Sequence, residues 1–171
     1  METLGVCTEL GSFRILLETA AADTCAYFVA AAQSGVFDDG RIFRIVSRQQ
    51  PKDADACPID VVQLGTRRGL SEQRDVIRHE HSGVTQLHHR RWVVSAARYR
   101  PGELYHSFFV CLQDEPELDF GGNRHADGQG FAAFGRIVEG FDAVSKAFHH
   151  AEQSDQLSKP ILVNGVQYFS S

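Results

Sequence analysis

Ser107-Phe108-Phe109-Val110-Cys111-Leu112 is followed by Glu117-Leu118-Asp119-Phe120-Gly121-Gly122 and then by Gly128-Gln129-Gly130-Phe131-Ala132-Ala133-Phe134-Gly135. A short apolar run, a turn built on Asp and Gly, and a second apolar run predict two strands joined by a long glycine-rich link. Successive side chains on a strand point to opposite faces, so Phe108 and Phe109 cannot serve the same surface.

Working outward, the rest of the chain reads as strands punctuated by turns, with two good helices. Val6 to Leu10, a turn at Gly11-Ser12, and Phe13 to Glu18 predict an opening hairpin, with Phe13, Ile15 and Leu17 alternating toward one face. Asp23-Thr24 opens a helix through Tyr27 to Ala32, and Gly35 stops it. Asp39-Gly40 is a turn ahead of a strand over Arg41 to Val46, and Ser47 to Pro58 is a polar loop. Val61 to Leu64 is a short strand, and the charged stretch from Thr66 to Arg90 is connecting structure with room for one helical turn. Arg91 to Arg98 and Phe108 to Leu112 are strands on either side of a Pro101-Gly102 turn. Phe131 to Val138 is a further strand, Phe141 to His149 a helix with Phe141, Val144 and Phe148 on one face, and Ile161 to Val163 and Val166 to Phe169 close the chain as strand. Many short strands with a helix near each end of the chain argue for a closed, largely antiparallel barrel in one domain over residues 1–171.

The 171 residues fit one domain, and 43% hydrophobic content is enough for a sizeable core. A net charge of −5 with 23% charged residues describes an ordinary water-facing surface and gives no basic stripe for nucleic acid. No apolar run approaches the roughly 20 residues needed to span a bilayer, and the N-terminus has no secretory pattern. The four cysteines (Cys7, Cys25, Cys57 and Cys111) are widely spaced, which predicts reduced thiols and a cytoplasmic protein.

The three late segments quoted above, in that order and at those spacings, resemble the cyclophilins, whose corresponding stretch reads S-x-F-F-I, L-D and G-x-x-F-G. Phe43-Arg44-Ile45-Val46, Val61-Val62-Gln63-Leu64-Gly65 and Val94-Ser95-Ala96-Ala97-Arg98 match three earlier family segments, so the resemblance runs from about Val6 to Phe148. It implies a mainly β fold, a closed eight-stranded antiparallel cyclophilin-like barrel capped by two α-helices. It also implies a peptidyl-prolyl cis/trans isomerase that acts on X-Pro bonds of proline-containing polypeptides and assists protein folding, as a monomer without cofactor or metal. A catalytically weak proline-peptide binding module on the same fold is the alternative.

Rotation about an X-Pro amide has a barrier near ~20 kcal/mol. A catalyst needs a donor aimed at the nitrogen of the twisted amide, an apolar socket for the pyrrolidine ring, and polar groups that hold the flanking peptide. The resemblance assigns the donor to Arg44, the backbone-holding glutamine to Gln63 and the wall of the proline socket to Phe109, with Phe108 turned into the core. Val61, Ala97, Ser107, Leu118 and Phe131 fall at substrate-contact positions.

Several positions depart from the family. Asp60 and Val61 stand where an aromatic and a methionine precede Val62-Gln63, so the socket floor is expected to be less apolar unless the preceding loop lets Ile59 refill it. Ser107 replaces a glutamine, Phe131 a histidine, and Arg98 an asparagine. Glu117 replaces the tryptophan that packs on cyclosporin in tight-binding members. The eight histidines, among them His79-Glu80-His81 and His88-His89, lack a familiar metal-ligand spacing and are expected to be solvated loop residues.

Overall fold

A computed structural model describes residues 1–50, 57–66 and 73–171. Its strands are β1 (Glu2–Thr8), β2 (Gly11–Leu17), β3 (Gly40–Val46), β4 (Val61–Thr66), β5 (Asp75–Val76), β6 (Val93–Arg98), β7 (Glu103–Cys111), β8 (Ala133–Glu139) and β9 (Gln156–Ser170). The helices are α1 (Ala22–Gln33), α2 (Ser82–Thr85) and α3 (Phe141–Phe148). Pairing runs β4-β3-β9-β1-β2-β8-β6-β7, all antiparallel, and β4 pairs with β7 to close an eight-stranded barrel. The two-residue β5 adds to β7 outside that ring.

Alternation fills the barrel. Leu4, Val6, Phe13, Ile15 and Leu17 of the first hairpin are buried, as are Val62, Leu64, Phe108, Val110 and Phe134 from the other strands. Phe28 of α1 stacks on Phe134 at 4.5 Å and meets Phe108 edge-on at 5.5 Å, so the helix docks on the barrel through one aromatic cluster. On α3 the buried stripe is Ala143, Val144 and Ala147; Phe141, expected on that face, is exposed and packs edge-on against Trp92 at 5.0 Å.

The opening turn differs from the expectation. Gly11 and Ser12 belong to the β1–β2 ladder, opposite Thr8 and Cys7, and the turn sits on Glu9-Leu10. Thr8 draws it upstream, because its hydroxyl accepts from Leu10 N at 3.1 Å and donates to Gly11 O at 2.7 Å. The Thr66–Arg90 connection holds β5 and the one helical turn of α2. The loop readings that fall on 51–56 and 67–72 lie outside the described residues.

No side chain of its own caps α1. Glu80, 4% exposed, reaches the helix start from the β5–α2 connection and accepts from Asp23 N (3.2 Å), Thr24 N (2.8 Å) and Thr24 Oγ1 (2.7 Å). A carboxylate there satisfies amides that have no partner within the helix and complements the positive end of its dipole. Glu80→Ala is expected to cost about 2–4 kcal/mol in urea unfolding, since it strands buried donors; a loss below about 0.5 kcal/mol would remove Glu80 from the capping role.

Candidate active site

The closing ladder also builds a groove on the outer face of the sheet. Arg44 of β3 pairs with Gln63 of β4, Gln63 with Phe109 of β7, and Phe109 with Ser95 of β6, so one row crosses four strands. The β3–β4 register shifts between Ile42 and Arg44, leaving Phe43 as an extra residue on β3. Bulges of this kind re-aim the side chains beside them. Phe108 points into the barrel while Phe109 joins a second, smaller cluster with Val46, Ile59, Val61, Cys111 and Leu118.

A cavity of about 470 Å³ opens over that cluster. Arg44, Gln63, Phe109, Val61, Ala97, Leu118 and Phe131, all expected in the site, line it. Ser107 does not line it. Its hydroxyl is buried behind the wall, where it accepts from Gln63 Nε2 at 3.0 Å and donates to Leu64 O at 2.8 Å. Ile59, Tyr105, Arg98, Cys57 and the Asn123–Ala126 segment complete the lining.

Arg44 is held by two acceptors. Nη1 donates to Gln63 Oε1 at 3.2 Å and Nη2 to Asp155 Oδ2 at 3.3 Å. Asp155 lies just before β9, too far along the chain for the Phe43–Val46 segment to announce it. Arginine carries more N–H donors than these two bonds use, and the remainder are available to the groove.

The floor is apolar despite Asp60. Ile59, Val61 and Gln63 alternate along one face and put their side chains on the groove side, whereas Asp60 turns away. Its carboxylate accepts from Arg48 N at 2.8 Å and pairs with Arg48 Nη1 at 3.1 Å. Glu115, 1% exposed, takes both ends of the same guanidinium at 2.6 and 2.7 Å and accepts from Asp60 N at 3.0 Å. Ile59 refills the position at which the floor was expected to lose apolar surface.

The long loop that supplies Leu118 and Phe131 is fastened twice more. Arg98 forms a double hydrogen bond to Asp127 (2.9 Å each), donates to Gly130 O at 2.8 Å and lies 4.6 Å over the Phe131 ring. Gly130 has φ +67°, and a Cβ there would come within 2.6 Å of the Asp119 and Phe120 backbone. Asp119 receives His89 Nδ1 at 2.7 Å and His89 N at 2.9 Å, and His89 Nε2 meets Ser95 Oγ at 2.8 Å.

The solvated-histidine expectation therefore fails at His89, which is 1% exposed and stacks nearly parallel to Phe109 at 6.3 Å. Asp119, His89 and Ser95 stand in the order of a nucleophilic relay, but Ser95 is fully buried and the relay works as an internal strut. His81 caps α2 by accepting from Gly83 N at 3.1 Å, and His79 binds Gln129 O at 2.9 Å. Among the described residues no group of three His, Cys, Asp or Glu could hold a metal ion.

Residues 3–167 match the family described as cyclophilin type peptidyl-prolyl cis-trans isomerase/CLD. The chain belongs to that family. Its activity class is accordingly peptidyl-prolyl cis/trans isomerisation. No curated protein sequence matches it. Among solved structures it is similar to a Cryptosporidium parvum cyclophilin type peptidyl-prolyl cis-trans isomerase crystallised in the presence of the dipeptide Ala-Pro, with TM-score 0.75, 16% identity and 99% of each chain covered. A second structure of that cyclophilin gives TM-score 0.76 and 16% identity over 99% of this chain and 98% of the other. A cyclophilin barrel is thus kept at low identity, with the eight strands closed as expected and a third, single-turn helix added to the two foreseen.

Burial pushes the Asp119 carboxyl up, but hydrogen bonds from the His89 side chain and backbone, aided by His88, outweigh it and hold the group below the usual carboxylate range. A depressed folded-state value stabilises the protein above the unfolded value of about 3.9 and is lost as pH falls through the folded one. Asp119→Asn should therefore be less stable than wild type at neutral pH by about 1–3 kcal/mol, with the gap shrinking below about pH 4. Urea unfolding at neutral and acid pH measures it, and a gap independent of pH would count against the Asp119–His89 strut.

Proposed function

We propose that the groove binds an X-Pro segment of a polypeptide and that Arg44 lowers the barrier to rotation by donating to the proline nitrogen as the amide twists. The observation that carries this reading is the placement of the Arg44 guanidinium and the Phe109 ring on the two strands that flank β4, facing one cavity. Twisting breaks amide resonance and leaves the nitrogen pyramidal and basic, so a fixed charged donor is bound more strongly by the transition state than by the planar ground state. Ile59, Val61, Phe109, Leu118 and Phe131 supply the apolar socket for the pyrrolidine ring, with Ala97 beside it. Gln63, backed by Ser107, orients the arginine.

Substrates are proline-containing polypeptides. The Ala-Pro dipeptide used with the Cryptosporidium cyclophilin supports that class. The reading of a binding module without turnover depended on a polar floor, and Ile59 removes its ground. We further propose a single cyclophilin-like domain acting as a monomer in the cytoplasm. Barrel closure removes the long sheet edges through which copies associate, the four thiols are free, and among the described residues no helix is long and apolar enough to cross a membrane.

Arg44→Ala is expected to cut kcat/KM on an Ala-Pro peptide by about ten- to thousandfold, the loss of a charge-assisted transition-state hydrogen bond. Stability should change by less than about 1 kcal/mol, because the Asp155 pair is partly exposed. Unchanged turnover would remove Arg44 from the mechanism.

Glu117 accepts from Asn123 N at 2.8 Å, and that hydrogen bond holds its carboxyl below the usual range. An ionised carboxylate has no donor for cyclosporin and little apolar area. Cyclosporin should bind about thirty- to thousandfold more weakly than to members with an indole there, and Glu117→Trp should recover part of the loss in calorimetric titration. Nanomolar binding by the unmodified protein would contradict this.

A further inference from the structure

The hydrogen bonds of Gln63 leave one donor in the groove that the family motif does not assign. A guanidinium can only donate, so the Gln63 atom 3.2 Å from Arg44 Nη1 is its carbonyl oxygen, and the orientation of the amide follows. Nε2 then gives its two protons to Tyr105 Oη at 3.1 Å and Ser107 Oγ at 3.0 Å. Gln63 has no N–H left for a bound peptide. The donor role expected of it has to come from elsewhere.

Tyr105 is the neighbouring group with a proton to give. Its oxygen accepts from Gln63 and keeps its own hydrogen. Ser107 Oγ, the other side chain beside it, is already engaged by Gln63 and by the Leu64 carbonyl. The Tyr105 hydroxyl can turn its proton either to Ser107 Oγ, which already accepts from Gln63, or into the cavity. The ring is buried against Tyr99 at 4.7 Å, which fixes its direction, and the residue lines the same cavity as Arg44 and Phe109. Burial pushes the hydroxyl up from its ordinary value, so it remains a donor across the neutral range.

We infer that the Tyr105 hydroxyl donates a hydrogen bond to a backbone carbonyl oxygen of the bound X-Pro segment, with Gln63 positioning both Tyr105 and Arg44. A neutral phenol suits a neutral amide oxygen, while the charged guanidinium beside it serves the nitrogen that becomes basic. The inference rests on the isomerase reading of the groove and names a substrate contact within it.

The test uses the whole chain and a tetrapeptide with one Ala-Pro bond, reading peptide affinity by calorimetry and isomerisation by kcat/KM. Tyr105→Phe should weaken binding and lower kcat/KM by about three- to tenfold, the value of one neutral hydrogen bond, chiefly through KM. Replacing Tyr105 by 3-fluorotyrosine, a more acidic phenol of nearly the same shape, should tighten binding, which a packing role would not do. Unchanged affinity and kcat/KM in Tyr105→Phe would overturn the inference. If that variant does not fold, the fluorotyrosine protein decides, and affinity equal to wild type overturns it. A wild-type protein that binds the peptide without turning it over refutes the isomerase reading and leaves the Tyr105 comparison intact on affinity. One that fails to bind the peptide refutes both.

Discussion

The pairing of β4 with β7 is the constraint on which the molecule turns. It closes the barrel, and the same register sets Gln63 opposite Phe109 and Leu64 opposite Phe108. Because side chains alternate with a period of two, a slip of one residue would put Phe109 in the core and Phe108 in solvent. Packing of Phe108 against Phe28 and Phe134 therefore specifies the face on which the groove lies. The core of this protein and its site are two sides of one ladder.

The loop between β7 and β8 carries two walls of the groove on irregular backbone, where packing alone gives little rigidity. Three of its acids fix it to three other elements: Glu115 to Arg48 after β3, Asp119 to His89 before β6, and Asp127 to Arg98 at the end of β6. Each carboxylate accepts from two or more groups, and no buried side-chain nitrogen or oxygen among the described residues lacks a partner. That completeness matters because a buried charge stripped of its partner costs roughly 3–5 kcal/mol, more than most single packing contacts contribute. A polar residue removed from any of these clamps therefore weakens a groove wall as well as the fold.

Most of the fold was legible in the sequence because it depends on short-range pattern: alternation at Phe13, Ile15 and Leu17, the Gly35 stop, the Asp39-Gly40 turn. The groove residues were legible through the resemblance, which places Arg44, Gln63 and Phe109 in three separately readable strands. What escaped depends on distance along the chain. Glu80 caps a helix nearly sixty positions upstream, and Asp155 tethers an arginine more than a hundred positions before it; no spacing rule connects such pairs. Asp60 misled for a different reason. Read as a residue in place of an aromatic it lowers the apolarity of the floor, but read through the two-residue period it faces Arg48 and leaves the floor to Ile59 and Val61. His89 looked like its neighbour His88, and only the backbone path separates the buried ring from the exposed one.

In the proposed mechanism, the tethers on Arg44 are what favour a transition state over a ground state. A planar and a twisted X-Pro amide differ mainly in the geometry and basicity of one nitrogen, so a flexible donor would follow either form and discriminate little. Arginine is long and rotamer-rich, and holding it costs conformational entropy. Here that cost is met before substrate arrives, through Gln63 on the adjacent strand and Asp155, whose own backbone carbonyl accepts from Ile45 N at 2.9 Å. The aspartate is thereby locked to the residue following the arginine it restrains. Both acceptors tie up donors, and the negative charge of Asp155 offsets part of the field in the groove. Direction is gained in exchange for field strength, and for a reaction that needs one aligned donor, without a charge to stabilise in the substrate's ground state, direction contributes more.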